Sequence, residues 1–271
     1  TENERAALGE PQPDLILWPE AATPMAIVGT PDRGMRQWVE ERVSETGVPL
    51  ITGALGEYDT GWENAMYLID PETGMQEERY AKRRRVPFGE YIPMRDVLFF
   101  IGTVVPLDID LRPGEHSKPL PVEVDGETLN AGPLICYEDI FPHLGREVAR
   151  EGADFIVVVT NDGWYGEEAG AYQHASHATL RAVETRRPVV RCGNHGWSGW
   201  IDEYGNIRDV LVGEDGRVYL RGSKGFELSA DPDWQGRLTF YAEHGDWLLW
   251  AGGFLLVGAV IQRRRMGIAA S

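Results

Sequence analysis

The stretch Phe155-Ile-Val-Val-Val-Thr160 decides the architecture. Its last five side chains are β-branched and none is charged. That composition marks a strand buried on both faces, in a parallel sheet or in the core of a sandwich. Upstream, residues 129–137 read as a second strand and 140–151 as a helix that stops at Gly152. Downstream, residues 172–187 read as a helix halted before Pro188, then strands over 189–192 and 197–202. Toward the N-terminus, Leu15-Ile-Leu-Trp18 is a short apolar strand closed by Pro19. Residues 34–46 repeat Met35, Trp38, Val39 and Val43 at helical spacing. Strands follow over 48–52 and 65–69, the second turning back through Asp70-Pro-Glu-Thr-Gly74. Strands that alternate with helices over two thirds of the chain place it in the α/β or α+β class.

The 271 residues carry 43 Asp+Glu against 26 Lys+Arg, a formal net charge of −17. Such a chain is no nucleic-acid binder, because phosphate recognition needs clustered cations. All the acidic residues lie before Trp247, so the first 246 residues hold −20 and the last 25 hold +3, from Arg263, Arg264 and Arg265. Lysine occurs only at Lys82, Lys118 and Lys224. The two cysteines, Cys136 and Cys192, are too few for a disulfide scaffold and form no metal-binding pair motif.

Three reactive residues stand at the ends of apolar strands. Glu20 follows Trp18-Pro19. A carboxylate there is partly desolvated and suits a general base, or it simply caps the next segment. Lys82 opens the run Lys-Arg-Arg-Arg85. The run reads as a solvated face or an anion site. In a chain so rich in Arg, however, a lone Lys suggests a compact charge placed beside a developing oxyanion. Pro87-Phe-Gly89 bends the chain so that Glu90 comes near. Cys136 ends an apolar strand before a helix. It is either an inert core thiol or a nucleophile made acidic by the helix N-terminus. Cys192 has no comparable neighbours and reads as structural. His174 and His177 lie three apart on a helix without an evident third ligand, which favours ordinary histidines over a metal site. The apolar residues 97–107 read as core packing or as a loop in contact with lipid.

Residues 247–261 form a charge-free segment with Trp247 and Trp250 at one end and the three Arg beyond the other. As a helix it spans about 22 Å, short of a hydrocarbon core of about 30 Å, so it reads either as a buried core helix or as a membrane segment. Its flanks are those of a membrane segment with a cytoplasmic Arg end, which puts the acidic body on the other side.

Glu, Lys and Cys together resemble the triad of the nitrilase, or carbon–nitrogen hydrolase, superfamily. Longer strings resemble its apolipoprotein N-acyltransferase branch. These are Leu17-Trp-Pro-Glu20, Arg79-Tyr-Ala-Lys82, Val86-Pro-Phe-Gly-Glu-Tyr-Ile-Pro93, Ile135-Cys-Tyr-Glu138 and Asn161-Asp-Gly-Trp-Tyr-Gly166. Gln173-His174, Arg181-Ala-Val-Glu184, Arg187-Pro188 and Asn194-His-Gly196 extend the likeness over residues 14–265.

The resemblance implies a four-layer α-β-β-α sandwich over residues 1–240, a transmembrane helix over 247–262 and a cytoplasmic tail over 263–271. The superfamily's first strand and helix, and the branch's membrane bundle, are not matched. It implies Glu20 as base, Lys82 as oxyanion stabiliser and Cys136 as nucleophile, with Glu90, Tyr137 and Glu138 supporting them. It implies a phospholipid acyl donor, a diacylglyceryl-apolipoprotein acceptor, no metal or organic cofactor, and a site on the periplasmic face of a bacterial inner membrane. The alternatives are an amidase or nitrilase that uses the same triad on carbon–nitrogen bonds, and a membrane-anchored binding domain without catalysis.

Overall fold

The computed structural model describes residues 12–29, 33–94, 110–124 and 126–269. Residues 97–107, read above as core or lipid-touching loop, lie outside them.

Two sheets stack face to face. The first has strands β1 (Ile16–Trp18), β2 (Leu50–Tyr58), β3 (Gly61–Asp70) and β4 (Gly74–Ala81), in that spatial order. β1 runs parallel to β2, and β2, β3 and β4 are successively antiparallel. The second has strands β5 (Leu120–Val124), β6 (Glu127–Ile135), β7 (Phe155–Asn161), β8 (Val189–Asn194), β9 (Gly199–Ile201) and β10 (Ile207–Val210). They lie side by side in chain order. The central β6, β7 and β8 are mutually parallel. The helices that make those crossovers are α2 (Pro142–Arg150) and α3 (Gly170–Thr185), while α1 (Arg33–Thr46) precedes β2.

Three apolar clusters define four layers. Ile51, Met66, Leu68 and Tyr80 of the first sheet meet Ile135, Val157, Val159 and Trp200 of the second. Val39 and Val43 of α1 pack on the outer face of the first sheet against Leu50, Tyr67 and Ile69. Leu144 and Val148 of α2, with Ala175, Ala178 and Ala182 of α3, cover the second against Leu134, Ile156 and Val158. Alternate residues of β7 therefore serve different cores, which explains why its sequence shows no polar alternation.

Several expected boundaries move. β2 runs to Tyr58 rather than ending near 52, because Gly53 and Gly56 disguise its second half. The strand expected over 129–137 ends at Ile135. Cys136 instead opens a 3₁₀ turn, Cys136–Ile140, with φ of +54°. The helix that follows begins at Pro142, which takes the first helical position where no N–H is needed.

After the short helix α4 (Phe240–His244), α5 (Trp247–Ala269) carries the apolar segment. Its large apolar side chains stand clear of the sandwich: Leu249 is 74%, Trp250 72% and Phe254 77% exposed. The reading of residues 247–261 as a buried core helix therefore fails. Among the described residues, no helix is both long enough and apolar enough to cross a membrane.

Candidate active site

β1, β4, β6 and β7 all end at the same rim of the sandwich, and the candidate residues follow those ends. Glu20 comes two residues after β1, Lys82 one after β4, and Cys136 one after β6. All three are buried.

Lys82 Nζ lies 3.1 Å from Glu20 Oε1 and 2.8 Å from Glu90 Oε1. Asn64 Nδ2, on β3 between them, donates to Glu20 Oε1 at 2.6 Å and to Glu90 Oε1 at 3.2 Å. Glu20 Oε2 accepts the backbone N–H of Asn161 at the end of β7, 2.8 Å away. Glu20 thus has both oxygens fixed and spans the two sheets. Glu90 is placed by a tight turn in which its own N–H bonds Val86 O at 2.9 Å and its Oε2 accepts Val86 N–H at 2.7 Å. The bend expected at 87–89 is there, with Phe88 at φ +63°. Burial disfavours the Lys82 ammonium, but Glu20, Cys136 and Glu90 outweigh it and hold the amine well above its ordinary range.

The thiol of Cys136 behaves against expectation. Burial and the Glu20 carboxylate push its pKa up, to about 12, against the pull of Lys82, of the Thr160 hydroxyl and of the Tyr137 N–H. The short 3₁₀ turn offers too little aligned dipole to overcome burial among apolar strands. The resting group is a thiol, and a base must take its proton before it can attack. Cys192, also a free thiol, is raised to about 12 by burial alone.

Glu138 does not touch Lys82. It accepts four hydrogen bonds, from Tyr80 Oη (2.8 Å), Ile135 N (2.9 Å), Arg83 N (2.7 Å) and Arg84 N (2.9 Å). Those donors come from both sheets, so Glu138 clamps the backbone after Lys82 to the Cys136 turn. Tyr137 packs its ring 5.7 Å from Lys82 Nζ and donates its hydroxyl to Arg85 O at 2.7 Å. The three arginines after Lys82 disperse: Arg83 pairs with Glu147, Arg84 meets His143 and Arg85 bonds Leu111 O.

Sequence reasoning missed Asn64, Thr160, Asp139, Asp162 and Arg191. Asn64 interrupts the apolar run of β3, but the strand was expected to start at 65, which left Asn64 in a loop. Asp139, Asp162 and Arg191 form, with His174, a buried charge cluster behind Cys136. The only sign of it in the sequence is Arg191 inside an otherwise apolar strand. Among the described residues, no group of three or more His, Cys, Asp or Glu could hold a metal ion.

The chain belongs to the carbon–nitrogen hydrolase family, which matches residues 4–224. Within it, the chain is similar to the apolipoprotein N-acyltransferase of Allorhizobium ampelinum, 35% identical over 269 residues, covering 94% of this chain and 47% of that protein. The apolipoprotein N-acyltransferase of Brucella melitensis is 40% identical over 218 residues, covering 77% and 39%. The chain spans less than half the length of these two relatives. Among solved structures, the NitN amidase from Nesterenkonia sp. AN1 superposes with a TM-score of 0.58 at 19% identity, covering 90% and 89% of the two chains. That likeness establishes the nitrilase-type α/β fold.

Proposed function

We propose that this chain is the catalytic part of an apolipoprotein N-acyltransferase, with Cys136 as nucleophile, Glu20 as general base and Lys82 as oxyanion stabiliser. The observation that carries the reading is the convergence of Glu20, Lys82 and Cys136 in a buried site of a chain 35–40% identical to such enzymes. A mutant of an amidase of the same fold, from Nesterenkonia sp. AN1, shows the result of Michael addition of acrylamide at its active-site cysteine, which supports a cysteine in that role.

Glu20 takes the proton of the Cys136 thiol, and the thiolate attacks the ester carbonyl of a phospholipid. Lys82 meets the oxyanion that forms. Collapse breaks the ester C–O bond, Glu20 returns the proton to the leaving alkoxide, and a lysophospholipid departs from a Cys136 thioester. The N-terminal amine of a diacylglyceryl-apolipoprotein then attacks the thioester carbonyl. Its proton passes to Glu20 and on to the departing sulfur, leaving an amide and the free thiol. Glu90 and Asn64 keep Lys82 and Glu20 aligned, and Glu138 and Tyr137 hold the nucleophile turn.

We assign α5 as the membrane attachment. Trp247 meets the Phe240 ring edge-on, the apolar side chains from Leu248 to Ile261 stand largely exposed, and Trp247 and Trp250 suit the outer interface. The Arg263–Arg265 end is then cytoplasmic and the −20 body lies on the periplasmic face of a bacterial inner membrane, beside both lipid substrates. We read residues 1–240 as one domain, followed by a membrane-spanning stretch over 247–262 and a tail over 263–271.

The test is mass spectrometry of the full chain in detergent with phospholipid and a diacylglyceryl-cysteinyl peptide. An acyl mass on Cys136 that transfers to the peptide amine is expected. An adduct discharged only to water would favour the amidase reading, and no adduct would favour a binding domain. Extraction of the chain into buffer without detergent would overturn the assignment of α5.

A further inference from the structure

Behind Cys136 lies a charge cluster that the transfer steps do not use. Asp139 sits on the Cys136 turn, Asp162 on the turn after β7, His174 on α3 and Arg191 on β8, all buried. His174 Nδ1 lies 2.7 Å from Asp162 Oδ1, and its Nε2 lies 3.1 Å from Asp139 Oδ1. Arg191 pairs with Asp139 Oδ2 and stands 3.8 Å from Asp162 Oδ2. Arg181, the other cation near the cluster, donates to the backbone carbonyl of Asp139 at 2.8 Å and is paired with Glu184. The Tyr165 ring meets the imidazole edge-on at 5.9 Å. Two carboxylates against one guanidinium leave one negative charge uncompensated, and a protonated His174 balances it. Burial alone would strip that proton, but the Asp139 and Asp162 carboxylates outweigh it and raise His174 to about 9.

Asp162 Oδ1 has a second donor. The Thr160 hydroxyl bonds the same oxygen at 2.9 Å, and Thr160 follows Val159, the strand partner of Ile135, so it stands beside Cys136 and favours the thiolate. A hydroxyl has one proton, so it serves Asp162 or a thiolate, not both.

We propose that His174 is a positioning residue that acts on Cys136 through Asp162 and Thr160. The imidazolium satisfies the shared carboxylate oxygen, which lets the Thr160 hydroxyl turn and donate to the thiolate while the thiol proton goes to Glu20. The inference rests on the reading of Cys136 as nucleophile.

The experiment is site-resolved alkylation of Cys136 by iodoacetamide in the full chain from pH 6 to 10. It compares wild type, His174→Gln, Thr160→Val and the double variant. Either single substitution is expected to move the thiol titration upward by about one unit, a rate loss of about ten-fold at pH 8. The double variant should react no more slowly than Thr160→Val, because both act along one chain. An unchanged profile in His174→Gln, or fully additive losses, would overturn the inference. Should His174→Gln fail to fold, two other measurements decide. Thr160→Ser should keep the wild-type profile that Thr160→Val loses, and alkylation of wild-type Cys136 should shift the His174 Nδ1 resonance. Failure of either overturns it. A wild-type Cys136 that no probe labels sinks the nucleophile reading as well, whereas a reactive Cys136 indifferent to His174 sinks this inference alone.

Discussion

Glu20 and Lys82 enter the site from opposite edges of one sheet and meet at 3.1 Å across 62 residues of sequence. The pair is buried and shares Glu90 as a second acid. Two carboxylates face one ammonium, so the ammonium is the keystone of the site.

Replacing Lys82 by Met should cost about 3–5 kcal/mol of stability, because it leaves two desolvated carboxylates without a cation. Lys82→Arg should not restore activity, since a planar guanidinium cannot occupy the space of the ammonium between Glu20, Glu90 and the Tyr137 ring. Urea midpoints and acyl-transfer rates check the two halves. A Met variant as stable as wild type would contradict the first.

Glu20→Gln should separate thiol acidity from turnover. The Glu20 charge raises the Cys136 thiol, whereas Lys82 lowers it. Removing the carboxylate therefore makes Cys136 more acidic, and iodoacetamide at pH 8 should label it several-fold faster, about ten-fold per unit of pKa. Acyl transfer should nonetheless fall by about 10²–10⁴, the usual worth of a general base. Parallel changes in labelling and transfer would contradict the assignment.

His174 sets a pH dependence of stability. Its folded pKa, about 9, lies above the ordinary histidine value, so its contribution is complete below about 6.5 and is lost as pH rises through 9. The urea midpoint should decline between pH 7 and 9.5 in wild type, and this component should vanish in His174→Gln. An identical decline in both proteins would place the titration elsewhere.

Gly53 lets β1 approach the second strand of its sheet closely. A Cβ at that position would stand 2.7 Å from Glu20 Cα and 3.0 Å from Pro19 O, both backbone atoms that cannot swing aside. Gly53→Ala should destabilise the fold by about 1–3 kcal/mol and displace Glu20, lowering transfer more than it lowers binding of a lipid analogue. Thermal melts and a comparison of kcat with KM read both effects.

Much of the fold was legible because buried parallel strands carry a composition of their own. Residues 155–160 could be read as a core strand from β-branching alone, and the helices on either side of it from apolar spacing and their stops. β2 was cut short in the reading because its two glycines weaken strand propensity while serving close packing. The apolar tail was equally plain, but only coordinates separate a helix packed on the sandwich from one whose side chains stand exposed.

The sequence by itself determined which residues could do chemistry: a lone Lys among arginines, a Glu and a Cys at strand ends, and the strings around them. Tertiary structure alone decided that they meet, that Asn64 and Asn161 fix Glu20, and that the thiol is raised rather than lowered. It also decided that Asp162 Oδ1 answers to both His174 and Thr160. The physical reason is that residue type and spacing report local propensity. Desolvation and hydrogen-bond sharing depend on what other strands bring to the same few ångströms, and those strands lie tens to hundreds of residues away in the chain.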